Sequence, residues 1–169
     1  MNTTKDIISE IVALELAMFL AVPSDGQGNC QDYPESFTLH RKAQFCIWSE
    51  ETLSSYLQDL QQAQKNGRNL MTIKYACIQG LIPFKNDSAV IDKIIKIKVD
   101  WQAEMIKKFP GFMARARPLD AKETKNELVS FRDYARGELE TYSQKTLELL
   151  YLDCQQMVSR NINGSEAIY

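Results

Sequence analysis

One long segment of this chain is repeated within the sequence. Residues 36–64 align with residues 130–158 at a single constant offset and without a gap. The identical positions are Ser36 and Ser130, Phe37 and Phe131, Ser49 and Ser143, Thr52 and Thr146, Leu53 and Leu147, Asp59 and Asp153, Gln61 and Gln155, and Gln62 and Gln156. A repeat of this kind predicts a structural duplication in which each copy buries its apolar faces against the other.

The spacing of apolar residues predicts an all-α fold, a single compact domain of about seven helices built from two tandem repeats. Repeat one covers about residues 4–81 and repeat two about residues 89–169, with a linker at 82–88 that contains Pro83 and Asn86-Asp87. The expected helices cover residues 4–20, 35–47, 50–66, 69–80, 89–109, 127–141 and 142–158. Residues 161–169 would begin a copy of the short helix at 69–80, so we expect the second repeat to be truncated and its tail to be frayed.

Composition excludes several classes of protein. The 169 residues suit one domain, and the net charge of −2 gives no general case for binding nucleic acid or an anionic membrane surface. Residues 7–22 are apolar but contain Glu10 and Glu15, so we expect neither a signal peptide nor a membrane span. The cysteines are far apart and form no C-x-x-C pair, which predicts reduced, buried thiols in a cytoplasmic protein. They are Cys30, Cys46, Cys77 and Cys154.

The sequence also argues against metal and nucleotide sites. Its single histidine, His40, excludes a multi-histidine zinc or copper site and disfavours a Ser-His-Asp triad. There is no P-loop and no G-x-G-x-x-G motif. Glu15, Asp32 and Glu138 could ligate a divalent or di-iron centre, but no Glu-x-x-His motif accompanies them. We therefore expect no metal and no cofactor.

Two charged residues interrupt apolar stripes. Glu15 lies one turn from both Ile11 and Phe19, and Arg41 lies one turn before Phe45. If these positions face the interior, an unpaired charge there would cost several kcal/mol, so the two side chains should pair across the first two helices. Alternatively, both lie at the edge of the core with their charged ends in water.

The sequence ARGELETY contains a third polar position. Tyr134, Glu138 and Tyr142 are spaced at i, i+4 and i+8 and should share one helical face. That face suits acid–base chemistry, although aromatic residues at this spacing are also typical of a core. Gly137 is costly inside a helix, which indicates close approach of either a neighbouring helix or a ligand.

A basic run forms the most pronounced local charge feature: Lys93, Lys96, Lys98, Lys107, Lys108, Arg115 and Arg117. It is either a solvated face or a binding surface for an anion, to which Arg115 and Arg117 would offer forked donors. Asp32 lies in a glycine-rich loop and is either a ligand-binding residue or the first residue of an Asx turn.

The chain resembles the bacterial and archaeal family catalogued as domain of unknown function number 4125. The residues that carry the likeness are Glu15, Met18-Phe19, Cys30-Gln31-Asp32, Arg41, Gln44-Phe45, Trp48, Gly67-Arg68-Asn69-Leu70, Lys74-Tyr75-Ala76, Arg117-Pro118, Arg136-Gly137-Glu138, Thr141-Tyr142 and Thr146-Leu147. The chain departs from the family pattern at Leu16, where tryptophan is expected. The resemblance implies the fold boundaries and implies no particular activity.

We expect this protein to bind a small polar or anionic ligand in a pocket between the two repeats. The reaction would be metal-independent acid–base chemistry in a bacterial biosynthetic pathway. The alternative is a non-catalytic module that binds a protein partner or forms a homodimer; we expect no partner nucleic acid and no membrane. The candidate catalytic residues are Glu138, Glu15, Tyr142 and Tyr134, and the candidate ligand-binding residues are Arg41, His40, Trp48, Asp32, Arg115 and Arg117.

Overall fold

A computed structural model of the chain describes residues 3–23, 30–120 and 129–169, and in those ranges it contains helices and no strands. The α-helices are α1 (Thr4–Leu20), α2 (Pro34–Phe45), α3 (Glu50–Lys65), α4 (Leu70–Ile78), α5 (Ala89–Lys108), α6 (Phe131–Glu140), α7 (Gln144–Ser159) and α8 (Gly164–Ile168). Short 3-10 helices occupy Cys30–Asp32 and Phe112–Arg115. The all-α class is confirmed, with eight α-helices in these ranges instead of about seven.

Capping residues set where most helices begin. The side chains that accept a hydrogen bond from a first-turn backbone N–H belong to Thr3, Ser49, Asn69, Ser88, Ser130, Ser143 and Asn163. The cap at Ser130 corrects the predicted start of α6. The sequence predicts a helix from residue 127, which lies outside the described residues. Residues 129 and 130 are described and are not helical, because Ser130 is the N-cap of a helix that begins at Phe131.

The helices pack in two groups. α1 packs against α2, α3 and α4, while α5 packs against α6, α7 and α8. Contacts of α3 with α7 and of α4 with α6 join the two groups. The apolar core runs through both, and its almost fully buried members include Ile11, Phe45, Leu53, Ile94 and Leu147.

Two aspartates join α3 to α7 by equivalent hydrogen bonds. Each accepts from a backbone N–H and from a threonine hydroxyl at the start of the opposite helix. The bonds run from Ser49 N and Thr52 Oγ1 to Asp153 Oδ2 at 3.0 and 2.7 Å, and from Ser143 N and Thr146 Oγ1 to Asp59 Oδ2 at 3.0 and 2.7 Å. Since the start of each helix meets a later turn of the other, the two helices run in opposite directions.

Glycines allow two close helix contacts. A Cβ added to Gly137 would lie 2.7 Å from Cδ1 of Ile78, so the close approach predicted at this position is that of α4. A Cβ added to Gly164 would lie 2.8 Å from the ring of Trp101. Gly164 and Ser165 are buried in α8, so the expectation of a frayed tail is wrong. The tail is held because this short helix packs on α5.

The cysteines follow the prediction only in part. Cys77 and Cys154 are buried free thiols, whereas Cys46, the C-cap residue of α2, is free but exposed. The side chain of Cys30 lies outside the described residues. Within those residues, no helix combines the length and the apolar character needed to cross a bilayer.

Candidate functional site

The site begins at Arg41, whose guanidinium lies between two buried carboxylates. Its Nε and Nη2 donate to Oε2 and Oε1 of Glu15 at 2.7 and 2.6 Å, and its Nη1 donates to Oε1 of Glu138 at 2.6 Å. Glu15 is 0% exposed, Arg41 7% and Glu138 6%. The pairing of Glu15 with Arg41 predicted from the sequence is therefore present, and the alternative with both charges in water is wrong.

A second cation reaches the same place from α4. Nζ of Lys74 donates to Oε2 of Glu138 at 2.9 Å and to the hydroxyl of Tyr134 at 3.1 Å, and Lys74 is buried. The cluster thus holds two carboxylates and two cations with no net charge. Such compensation is required because buried ions are stable only when they are paired and hydrogen-bonded.

Hydroxyl and amide groups complete the arrangement. Tyr56 donates to Oε1 of Glu15 at 2.7 Å, and Tyr142 donates to Oε1 of Glu138 at 3.1 Å. Gln44 accepts from Nη1 of Arg41 at 2.9 Å and donates to Oε1 of Glu138 at 3.2 Å. All four carboxylate oxygens therefore have partners. We call this set the buried charge network: Glu15, Arg41, Gln44, Tyr56, Lys74, Tyr134, Glu138 and Tyr142.

The network sets the protonation states of its members. Burial alone would raise the pKa of Glu138, but the charges of Arg41 and Lys74 outweigh it and hold that pKa well below its usual range. Burial opposes the charge of Lys74, but Glu138 outweighs it and raises the lysine pKa. Glu138 is therefore a poor proton acceptor at neutral pH, because both ions of the pair stay charged.

The tyrosines of the network divide into two kinds. Burial, reinforced by the nearby carboxylates, raises the pKa of Tyr56 and of Tyr142 well above the ordinary value. Burial also acts to raise the pKa of Tyr134, but the ammonium of Lys74 outweighs it, so that pKa is lowered. Tyr134 is therefore the tyrosine of the network that gives up its proton most readily.

A cavity of about 180 Å³ lies beside the network, between α5, α6, α7, α8 and the end of α2. Gln44, Tyr134 and Glu138 form its boundary with the network. Trp48 and Trp101 supply broad aromatic walls, and Tyr169 lines it from the end of the chain. The cavity is therefore mainly apolar, with the charged network at one side.

Two polar residues of α5 also line this cavity, one helical turn apart. Lys98 is partly buried and makes no ion pair within the described ranges. Gln102 is 1% exposed, and its Oε1 has no hydrogen-bond partner there. An unsatisfied buried group costs about 1–3 kcal/mol, so this oxygen is an exception that calls for an explanation.

The structure brings together most of the predicted site residues. Glu15, Arg41, Glu138, Tyr142 and Tyr134 all belong to the network. However, only Tyr134 and Glu138 also line the cavity, whereas the sequence places all five around one pocket. Glu15, Arg41 and Tyr142 are instead enclosed among helices, because their polar atoms bond to one another.

The remaining candidates are scattered. Trp48 packs edge-on against Tyr142, with ring centroids 6.0 Å apart, and lines the cavity. The guanidinium of Arg117 lies 4.6 Å from the ring centroid of Tyr134. In contrast, three candidates are exposed and belong neither to the network nor to the cavity wall: His40, Asp32 and Arg115. No role at this site is supported for those three.

Sequence reasoning missed several members, and one of them could have been found. Lys74 lies one turn after Leu70 and one turn before Cys77, so it interrupts an apolar stripe as Glu15 does. The apolar spacing of α3 places Tyr56 on its buried face, but this spacing identifies no partner for the hydroxyl. Gln102 sits beside Trp101 in α5 and gave no signal, because an isolated polar residue at a stripe edge is common.

The carboxylates considered for a metal do not form one group. Glu15 and Glu138 are bonded to cations, and Asp32 is exposed on the surface. Within the part of the chain that the structure describes, no three His, Cys, Asp or Glu side chains are placed to hold a metal ion together.

A known protein family matches this chain. The family model described as "Protein of unknown function (DUF4125)" matches residues 5–169. Neither the curated proteins nor the solved structures include a match to this chain.

Replacing Glu138 by Gln should destabilise the protein at neutral pH by about 3–5 kcal/mol, because Lys74 would lose its counter-charge and Arg41 would lose one of its two carboxylate partners. The folded-state pKa of Glu138 lies below the unfolded value of about 4.3, so its stabilisation is complete above that pH and is lost as the pH falls further. The stabilities of wild type and Glu138→Gln should therefore converge in acid. Urea denaturation at a series of pH values measures this.

The matched control is Glu148→Gln on the exposed face of α7, which should change stability by no more than about 0.5 kcal/mol. A Glu138→Gln protein as stable as this control would contradict the claim that Glu138 neutralises buried cations in the network. So would a difference from wild type that stays constant as the pH falls.

Proposed function

We propose that this chain, which belongs to the DUF4125 family, binds a small organic anion in the cavity and exchanges a proton with it through Tyr134. The observation that carries the proposal is the position of Tyr134. Its side chain lines the cavity, and its hydroxyl accepts a hydrogen bond from Lys74 of the network. The reaction would need neither a metal nor a cofactor, and its place in a bacterial biosynthetic pathway stays a prediction.

The size and walls of the cavity support a ligand of one ring. A cavity of about 150 Å³ accommodates benzene, and this one measures about 180 Å³. Trp48 and Trp101 provide flat apolar surfaces of the kind that bind cyclic ligands. The space is sufficient for a ring with small substituents.

The charge of the cavity supports an anion. Lys98 is the cation of the cavity wall, and its charge is not used by an ion pair among the described residues. It also acts on Glu138, whose pKa it helps to lower, so the two lie within electrostatic reach of each other. A ligand carboxylate near Lys98 would form a charge-assisted hydrogen bond in a partly desolvated place.

Proton transfer is assigned to Tyr134 because the carboxylates are unsuited to it. Lys74 stabilises the phenolate form of Tyr134, and Arg117 lies over the same ring. Glu138 binds Lys74 and keeps it charged, so Glu138 acts as a positioning residue in this proposal. In this proposal Tyr134, and not Glu138, takes the proton.

The tandem duplication is also part of the proposal. Aligned positions of the two copies share backbone features that helical packing does not require. Gly67 and Asn161 both adopt a left-handed conformation, at φ 65° and 55°. Asn69 and Asn163 then cap α4 and α8. With the equivalent bonds of Asp59 and Asp153, these matches support an origin of the two helix groups from one ancestral unit.

Benzoate is the simplest probe of the cavity, since it is one ring with one carboxylate. Both tryptophans of the chain line the cavity, so binding should change their fluorescence. Lys98→Met should weaken benzoate binding about tenfold, the loss of one charge-assisted hydrogen bond. Lys96→Met, on the exposed side of α5, is the matched control and should bind as wild type does. An absence of benzoate binding, or equal binding by Lys98→Met, would contradict the proposed anion site.

The role of Tyr134 can be tested by tyrosinate absorbance during alkaline titration. Tyr134 should ionise below the ordinary tyrosine value of about 10, because Lys74 lowers its pKa. That early step should be missing from Tyr134→Phe. It should remain in Tyr142→Phe, since the pKa of Tyr142 is raised. Identical curves for wild type and Tyr134→Phe would remove the basis for proton transfer by this residue.

A further inference from the structure

Gln102 carries a buried acceptor that the protein does not use. It lies on α5, its side chain is almost fully buried, and within the described residues its Oε1 has no hydrogen-bond partner. Buried amide oxygens of native proteins are nearly always bonded to protein, water or ligand. The network beside it has no such defect, since all the carboxylate oxygens of Glu15 and Glu138 are bonded.

The position of Gln102 in the cavity wall relates its side chain to a ligand. Gln102 lines the cavity, as does Lys98 one helical turn earlier on the same face of α5. Residues at this spacing have Cβ atoms about 5–6 Å apart, a separation comparable with the width of one ring. One small molecule can therefore meet both side chains at once, through two different substituents.

We infer that the ligand of this cavity is a single-ring organic anion that also carries an O–H or N–H donor, and that Gln102 accepts its hydrogen bond. The inference rests on the proposed function and specifies its ligand class as hydroxy- or amino-substituted ring carboxylates. The carboxylate is placed at Lys98 and the donor at Gln102. A ligand with the donor gains a hydrogen bond to Gln102 that a ligand without it cannot form, so the site should favour the donor-bearing ligand.

The test is calorimetric titration with 3- and 4-hydroxybenzoate and with the fluorobenzoates substituted at the same positions. Fluorine is close in size to a hydroxyl group but has no hydrogen to donate. Wild type should bind at least one hydroxybenzoate ten times more tightly than its fluorinated counterpart. Gln102→Met, which keeps the length of the side chain and removes the acceptor, should bind the two equally.

Two further measurements separate ligand recognition from a structural role. Lys98→Met should weaken binding of every probe by a similar factor and keep the preference for the hydroxyl group. Without ligand, Gln102→Met should unfold at the same temperature as wild type or a higher one, because an unpaired buried oxygen has been removed. A lower unfolding temperature would show that the amide holds a structural partner, such as a bound water, and would overturn the inference.

The binding results also distinguish a failure of the proposed anion site from a failure of the proposed role of Gln102. If no benzoate binds, the anion site itself is absent and the inference fails with it. If hydroxy- and fluorobenzoates bind equally to wild type, the anion site stands and the role of Gln102 is overturned. The same conclusion follows if the preference for the hydroxyl group survives in Gln102→Met.

Discussion

The rest of the structure depends on one buried guanidinium held between two carboxylates. Arg41 comes from α2, Glu15 from α1 and Glu138 from α6, so the contact joins the two helix groups. Removing any of these charges from water costs several kcal/mol unless its partners are already in place. The charges are therefore compatible with one arrangement of the helices. Misplaced packing would leave at least one of them buried and unpaired.

The pairing of every carboxylate with a cation inside the network determines where chemistry can occur. Its carboxylates have no free oxygen, and the pKa of Glu138 is held low by Arg41 and Lys74. The reactive position is displaced to the edge of the network, where Tyr134 meets the cavity. Lys74 connects the two, because it binds Glu138 on one side and Tyr134 on the other. In the proposed function the buried charges keep Lys74 protonated beside Tyr134.

Much of the fold and part of the site could be predicted from the sequence. Helix positions followed from apolar spacing. The pair of Glu15 and Arg41 followed from a simple electrostatic rule, since opposite charges inside apolar stripes must meet. Both predictions use information carried within single helices, and both agree with the structure.

What could not be predicted depends on how helices meet. Lys74 belongs to the site only because α4 packs against α6, where Gly137 permits close approach. His40 is exposed on α2, whereas its neighbour Arg41 is buried, and this difference depends on how α2 packs against the other helices. The five residues of α8 were too few to give a periodic signal, although the helix is held by its packing on α5. The unpaired oxygen of Gln102 is visible only once all of its neighbours are placed.

A double-mutant cycle on Glu15 and Arg41 tests the buried pair most directly. The single replacements Glu15→Gln and Arg41→Met should each destabilise the protein by about 3–5 kcal/mol, because each leaves an opposite charge buried without its partner. The double replacement leaves Lys74 and Glu138 as a balanced pair. It should therefore cost less than the two single costs added together, by up to about 3 kcal/mol. Additive costs, or single costs within about 0.5 kcal/mol of zero as for surface residues, would contradict a fold organised around these charges.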